Sequence, residues 1–124
     1  MDRIVKLLDL ALTTDRSNLA AAIAAAEDAS AALDRHIDQV EAEVFLSTHL
    51  PLETRRQFPE WAAARRREEH QLAAARDAAI ARIDELRQVV AEANARKRAA
   101  EKLSERKAAE RRRAQDKSLR AGAA

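Results

Sequence analysis

Residues 19–46 read LAAAIAAAEDASAALDRHIDQVEAEVFL and carry apolar or small residues in alternating steps of four and three. The members of this pattern are Leu19, Ile23, Ala26, Ser30, Leu33, Ile37, Val40 and Val44. Side chains at this spacing share one face of an α-helix, and charged residues fill most positions outside it. A single helix does not bury such a face by itself, so the pattern predicts a seam against a partner helix.

The same steps recur in the second half of the chain, after two prolines at positions 51 and 59. They place Leu72, Arg76, Ala79, Ile83, Leu86, Val90, Ala93, Lys97 and Ala100 on one face. We predict an all-α fold in which two long helices form an antiparallel coiled-coil hairpin, because short connections favour antiparallel neighbours. The main seam residues are Leu19, Ile23, Leu33, Ile37, Val40, Leu72, Ile83, Leu86 and Val90. A parallel coiled coil between two chains is the alternative.

The predicted hairpin occupies residues 1–124 as one domain. We expect helices over about 2–47 and 59–118, a bend over 48–58 with a short helical turn at 51–56, and a frayed tail over 119–124. The polar segment 13–18 is expected to stay helical. The longer second helix then ends in a C-terminal overhang. With a turn near residue 55, facing residues sum to about 110, which places Asp9 near Glu101.

Composition excludes a compact mixed fold. More than half of the 124 residues are Ala, Glu, Lys, Leu or Arg, with one glycine, two prolines and three aromatic residues. That bias is typical of long helices and coiled coils. Residues 1–60 carry six basic and eleven acidic side chains, whereas residues 96–124 carry eleven basic and four acidic ones. An antiparallel hairpin brings these opposite charges side by side, which favours it over a parallel pairing.

The sequence carries no signature of catalysis. It has no cysteine, no glycine-rich phosphate loop and no histidine pair at metal-binding spacing. His36, His49 and His70 are interpreted as surface or flanking residues, and Arg76 and Lys97 as seam residues whose charges reach water. We therefore expect no enzyme, cofactor, metal or small-molecule substrate. No apolar run is long enough to span a membrane, so the expected location is the cytoplasm.

Two surface features remain to be explained. Basic residues concentrate in segment 96–120, which fits an acidic protein partner, a solvated helix face or, less well, nucleic acid, because acidic residues are interspersed and aromatic residues are missing. Large apolar residues gather around the bend, where they form either a small local core or a partner-binding surface. These residues are Phe45, Leu46, Leu50, Leu52, Phe58 and Trp61.

The chain resembles the FliJ/YscO family of flagellar and type III secretion export proteins. The resemblance covers the whole hairpin and is most specific in the second helix, where RKRAAEKLSER at 96–106 precedes a charged stretch that ends in QDKSL at 115–119. It implies a non-enzymatic stalk that inserts into the hexameric export ATPase and bridges it to the membrane-embedded export gate. It also implies a chaperone role toward substrate chaperones, at the cytoplasmic side of the inner membrane.

The resemblance also implies where the partners bind. The ATPase-facing residues would be Arg98, Lys102, Arg106, Arg111 and Arg113. The gate-facing residues near the hairpin tip would be Val44, Phe45 and Trp61. The alternatives to this export role are a structural homodimeric coiled coil and a basic helical nucleic-acid-binding protein.

Overall fold

The computed structural model describes residues 2–51, 53 and 56–122, and these form two helices without any strand. Helix α1 runs over Asp2–Ser47 and helix α2 over Phe58–Gly122. The two helices pack against each other as an antiparallel hairpin in which the second helix is the longer. The predicted fold class is therefore confirmed.

Helix α1 continues without interruption through the polar segment 13–18. The hydroxyl of Thr13 donates a hydrogen bond to the carbonyl oxygen of Asp9 at 2.9 Å, and that of Thr14 donates to Leu10 at 3.1 Å. These i−4 hydrogen bonds satisfy both hydroxyls on the helix itself, so the threonines do not initiate a new helix.

At the C-terminal end of helix α1, two hydroxyl side chains donate hydrogen bonds to carbonyl oxygens of the last turn. Ser47 Oγ donates to the carbonyl of Val44 and Thr48 Oγ1 to that of Phe45, both at 2.7 Å. The Leu50 amide then donates to the carbonyl of Ser47 at 3.1 Å, just before Pro51. These bonds satisfy acceptors that an ending helix would otherwise leave free.

Helix α2 begins at Phe58, one residue before the predicted start, with Pro59 and Glu60 in its first turn. Proline is tolerated there because first-turn amides lack helical partners, and the Glu60 charge suits the helix N-terminus. The helix continues to Gly122, past the predicted end at 118, because no breaker precedes that glycine. The helical turn predicted for 51–56 includes Leu52, Thr54 and Arg55, which lie outside the described residues.

The packing divides the chain into two compact units. One comprises the residues up to Asn18 together with those from Leu86 onward, and the other comprises Leu19–Glu85. The first unit buries Leu12, which is only 1 % exposed, together with Leu86 and Ala93. The second unit buries Ala26, Leu33 and His36.

On helix α2, every predicted seam position from 72 to 100 is buried or partly buried. On helix α1, Leu33 is buried and Leu19, Ile23, Ile37 and Val40 are partly buried. Val44, predicted to be a core position, is instead exposed. The covered face of α1 also includes a row one residue earlier than Ile23, Ser30, Ile37 and Val44, and every member of that row is buried or partly buried. That row is Ala22, Ala29, His36 and Glu43.

The contacts between the helices fix their register. Lys97 Nζ lies 2.7 Å from Asp9 Oδ1 in the first unit, and Arg65 Nη2 lies 3.0 Å from Glu43 Oε1 in the second. The observed partner of Asp9 is therefore one helical turn before the predicted Glu101. Ile80, Val89 and Leu103, which flank the seam in the sequence, are exposed.

Candidate functional site: interaction surfaces

The second unit contains a polar cluster across the helix seam. His36, from α1, is 8 % exposed, and its Nε2 lies 3.1 Å from the carbonyl oxygen of Arg65 on α2. A carbonyl only accepts, so Nε2 carries the proton and donates it. The ring Nδ1 lies 3.7 Å from Glu68 Oε2. The interpretation of His36 as a surface or flanking residue was therefore wrong, because its side chain is buried in the seam.

Arg65 is the centre of the same cluster. Its Nη1 donates to Glu68 Oε2 at 2.9 Å, while its Nη2 donates to Glu43 Oε1 at 3.0 Å. The hydrogen bond to Glu68 and the charge of Glu43 raise the pKa of the Arg65 guanidinium. The other oxygen of Glu43, Oε2, is buried without a hydrogen-bond partner among the described residues. Arg65, which lies on α2, thus binds a carboxylate on its own helix, Glu68, and one on α1, Glu43. The contact with Glu43 links the two helices.

In the first unit, Asp9 of α1 and Lys97 of α2 form an ion pair across the seam. The Lys97 side chain occupies a seam position, is 25 % exposed, and lies 3.9 Å from Glu101 as well. The hydrogen bond and the positive charge of Lys97 hold the pKa of Asp9 below its ordinary value of 3.8. Lys97 therefore pairs across the seam, whereas the Arg76 guanidinium forms an ion pair with its sequence neighbour Asp77 on the same helix.

The apolar side chains at the bend form an exposed surface, here called the tip surface, at the end of the second unit. Its exposed members are Val44, Phe45, Leu46, Leu50 and Phe58. Phe58 stacks on the partly buried Trp61 with ring centroids 5.1 Å apart, and Arg65 lies 5.9 Å above the indole. An open groove of about 350 Å³ is lined by Leu46, Leu50, Phe58 and Trp61, among others.

The three residues predicted to face the export gate lie at this surface but not in one site. Val44 and Trp61 line a shared depression of about 200 Å³. Phe45, which is 66 % exposed, makes an edge-to-face contact with His49 at a centroid distance of 5.4 Å. Leu46 and Leu50 extend the surface on the groove side, so the tip surface is wider than the three residues alone.

The residues predicted to face the ATPase are all exposed on α2. At 3.6 residues per turn, Arg98, Lys102, Arg106 and Arg113 fall within an arc of about 80°. Arg111 points about 180° away from Lys102 by the same rule. The helix therefore brings four of the five cations onto one face, which looks away from the seam.

Two exposed basic residues that were not singled out, Lys117 and Arg120, continue this face. We call the set the basic row; it consists of Arg98, Lys102, Arg106, Arg113, Lys117 and Arg120. The helical phase of these basic residues, at about 100° per residue, identifies the row. The number of basic residues in the segment does not show that they share one face.

The described residues contain no group of three or more histidine or acidic side chains placed to hold a metal ion. No helix within the described ranges is both long and apolar enough to cross a membrane. The chain matches no protein-family model, no curated protein and no solved structure.

Proposed function

We propose that this chain is a non-enzymatic coiled-coil stalk of a flagellar or type III protein export apparatus, bridging the hexameric export ATPase to the export gate. The observation that carries the proposal is that each of the two units presents an exposed surface, and that the two surfaces differ in chemistry. The basic row lies on the last part of α2, in the first unit, and the apolar tip surface lies at the bend, in the second. Two such surfaces suit two different partners.

The basic row is the proposed contact with the ATPase. At the register set by Asp9 and Lys97, residues after about 104 on α2 have no described residue of α1 opposite them. Nearly every side chain from Glu105 to Gly122 is exposed. The basic side chains of this segment are therefore accessible to an acidic surface of a partner. This segment is therefore the part of the hairpin that would enter the ATPase ring.

The tip surface is the proposed contact with the gate. Aromatic and leucine side chains exposed together are typical of interface centres, and the groove beside Trp61 is large enough to accept an apolar side chain. A role toward substrate chaperones, and a position at the cytoplasmic face of the inner membrane, belong to the same proposal and rest on the family resemblance.

The proposal is tested by adding the purified chain to the export ATPase and measuring ATP hydrolysis. We expect stimulation by the wild-type chain and its loss in the variant with Lys102, Arg106 and Arg113 all changed to Glu. Circular dichroism of the variant provides the control for helix content, since all three side chains are exposed. Full stimulation by the reversed variant would reject the assignment of this surface.

A further inference from the structure

The outer face of α1 carries an acidic counterpart of the basic row. Glu27, Asp34, Asp38 and Glu41 are exposed and fall within an arc of about 60°, turned away from the seam residues Leu33 and Val40. We call these four residues the acidic row. They belong to the second unit, whereas the basic row belongs to the first.

The charges of the two rows have identical spacing. The acidic row advances by seven, four and three residues from Glu27 to Glu41. The basic residues Arg106, Arg113, Lys117 and Arg120 advance by seven, four and three as well. Two parallel helices set side by side at this register would match all four carboxylates with cations.

The side chains between these charges are compatible with such a pairing. Glu110 and Asp116, the acidic residues nearest to the basic row, would lie level with Ala31 and Ile37 and not with a carboxylate. Ala31 and Ala109 border the two rows, and small side chains let two helix backbones approach each other. The pairing therefore creates no like-charge contact within the two rows.

We propose that the acidic row of one molecule binds the basic row of a second copy of this chain, so that the protein self-associates through its outer helix faces. We assign the binding partner of the acidic row to a second copy of the chain because the basic residues of that copy have the same spacing of seven, four and three residues. The contact consists of exposed ion pairs, so it is weak and strongly screened by salt. The inference depends on the two rows alone and is independent of the export role.

The test is sedimentation velocity of the full chain over a range of concentrations, at about 50 mM and about 500 mM salt. At the lower salt, we expect the apparent mass to rise with concentration above the 13.8 kDa of one chain. At the higher salt, it should return to one chain. A monomer at every concentration in low salt, or a dimer that salt does not dissociate, would overturn the proposal.

Charge-reversal variants identify the surfaces involved. Arg113→Glu with Lys117→Glu should abolish association, and so should Asp34→Lys with Asp38→Lys. An equimolar mixture of the two variants should associate again, because each supplies the row that the other has lost. Failure of the mixture to associate would contradict the pairing of these two rows.

The matched control is Arg111→Glu with Arg112→Glu, which changes the net charge by the same amount on another face of the same helix. This variant should associate like the wild type. Equal loss of association in the control would show that net charge decides the behaviour and would overturn the assignment to the rows.

Discussion

The ammonium group of Lys97 lies 2.7 Å from the carboxylate of Asp9, and this pair joins the beginning of α1 to the second half of α2. Lys97 occupies a seam position of α2, and its side chain is mostly covered. The pair therefore fixes the register of the helices in the first unit, where Leu12 supplies the most deeply buried apolar side chain.

Replacing Lys97 with Met should lower the melting temperature at neutral pH and change how stability depends on pH. Lys97 lowers the pKa of Asp9, so the stability from this pair is present above the ordinary value of 3.8 and is lost as pH falls through the lowered pKa. The melting temperature, followed by circular dichroism, should thus be higher for the wild type than for the variant at about pH 7, and this difference should shrink as the pH falls below 3.8. A difference independent of pH would contradict the role given to the pair.

Replacing the buried His36 with Ala should reduce the free energy of unfolding by about 1–3 kcal/mol, because it removes both seam packing and the hydrogen bond to the Arg65 carbonyl. The control is His70→Ala, since His70 is exposed and its replacement should change stability by less than about 0.5 kcal/mol. Urea unfolding of the two variants measures both values, and equal effects would argue against a structural role for His36.

The two faces of the basic segment should differ in their effect on the export ATPase. Changing Arg106 and Arg113 to Glu reverses two charges of the basic row and should remove most of the stimulation of ATP hydrolysis. Changing Arg111 and Arg112 to Glu alters the net charge equally but leaves the row intact, so stimulation should persist. Equal losses in both variants would indicate that overall charge, and not the row, determines binding.

The tip surface should be required for binding to the gate but not for folding. Phe45 and Leu46 are 66 % and 64 % exposed, so changing each to Ala should alter the free energy of unfolding by no more than about 0.5 kcal/mol. Binding to the cytoplasmic part of the export gate, measured by calorimetry, should weaken at least tenfold. Ile80→Ala, an exposed apolar residue away from the tip, is the control and should bind normally.

The sequence predicts the second helix better than the first. The steps from Leu72 to Ala100 identify nine positions of α2 that are all buried or partly buried, four of them large apolar residues. On α1 the alanine-rich run permits two phases, and the covered face includes both, because Ala22 and Ala29 are partly buried next to Ile23 and Ser30. The apolar side chains alone indicate one of these phases and leave out the other.

The polar contacts were less predictable than the fold. His36 follows Leu33 by three residues and Ala29 by seven. These are heptad spacings, so His36 belongs to the same row of seam residues as Ala22 and Ala29. The pairing of Asp9 with Lys97 depends on the register to within one turn, which a rule of facing residues only approximates. The faces of the basic segment, by contrast, follow directly from helical phase.

The most direct test of the export role is to mix the chain with the export ATPase and the cytoplasmic part of the gate, and to measure the mass of the resulting complex by light scattering. The account predicts one complex that contains all three proteins, which loses the gate with the tip variant and the ATPase with the basic-row variant. A wild-type chain that joins neither protein, or a complex that both variants leave unchanged, would contradict it.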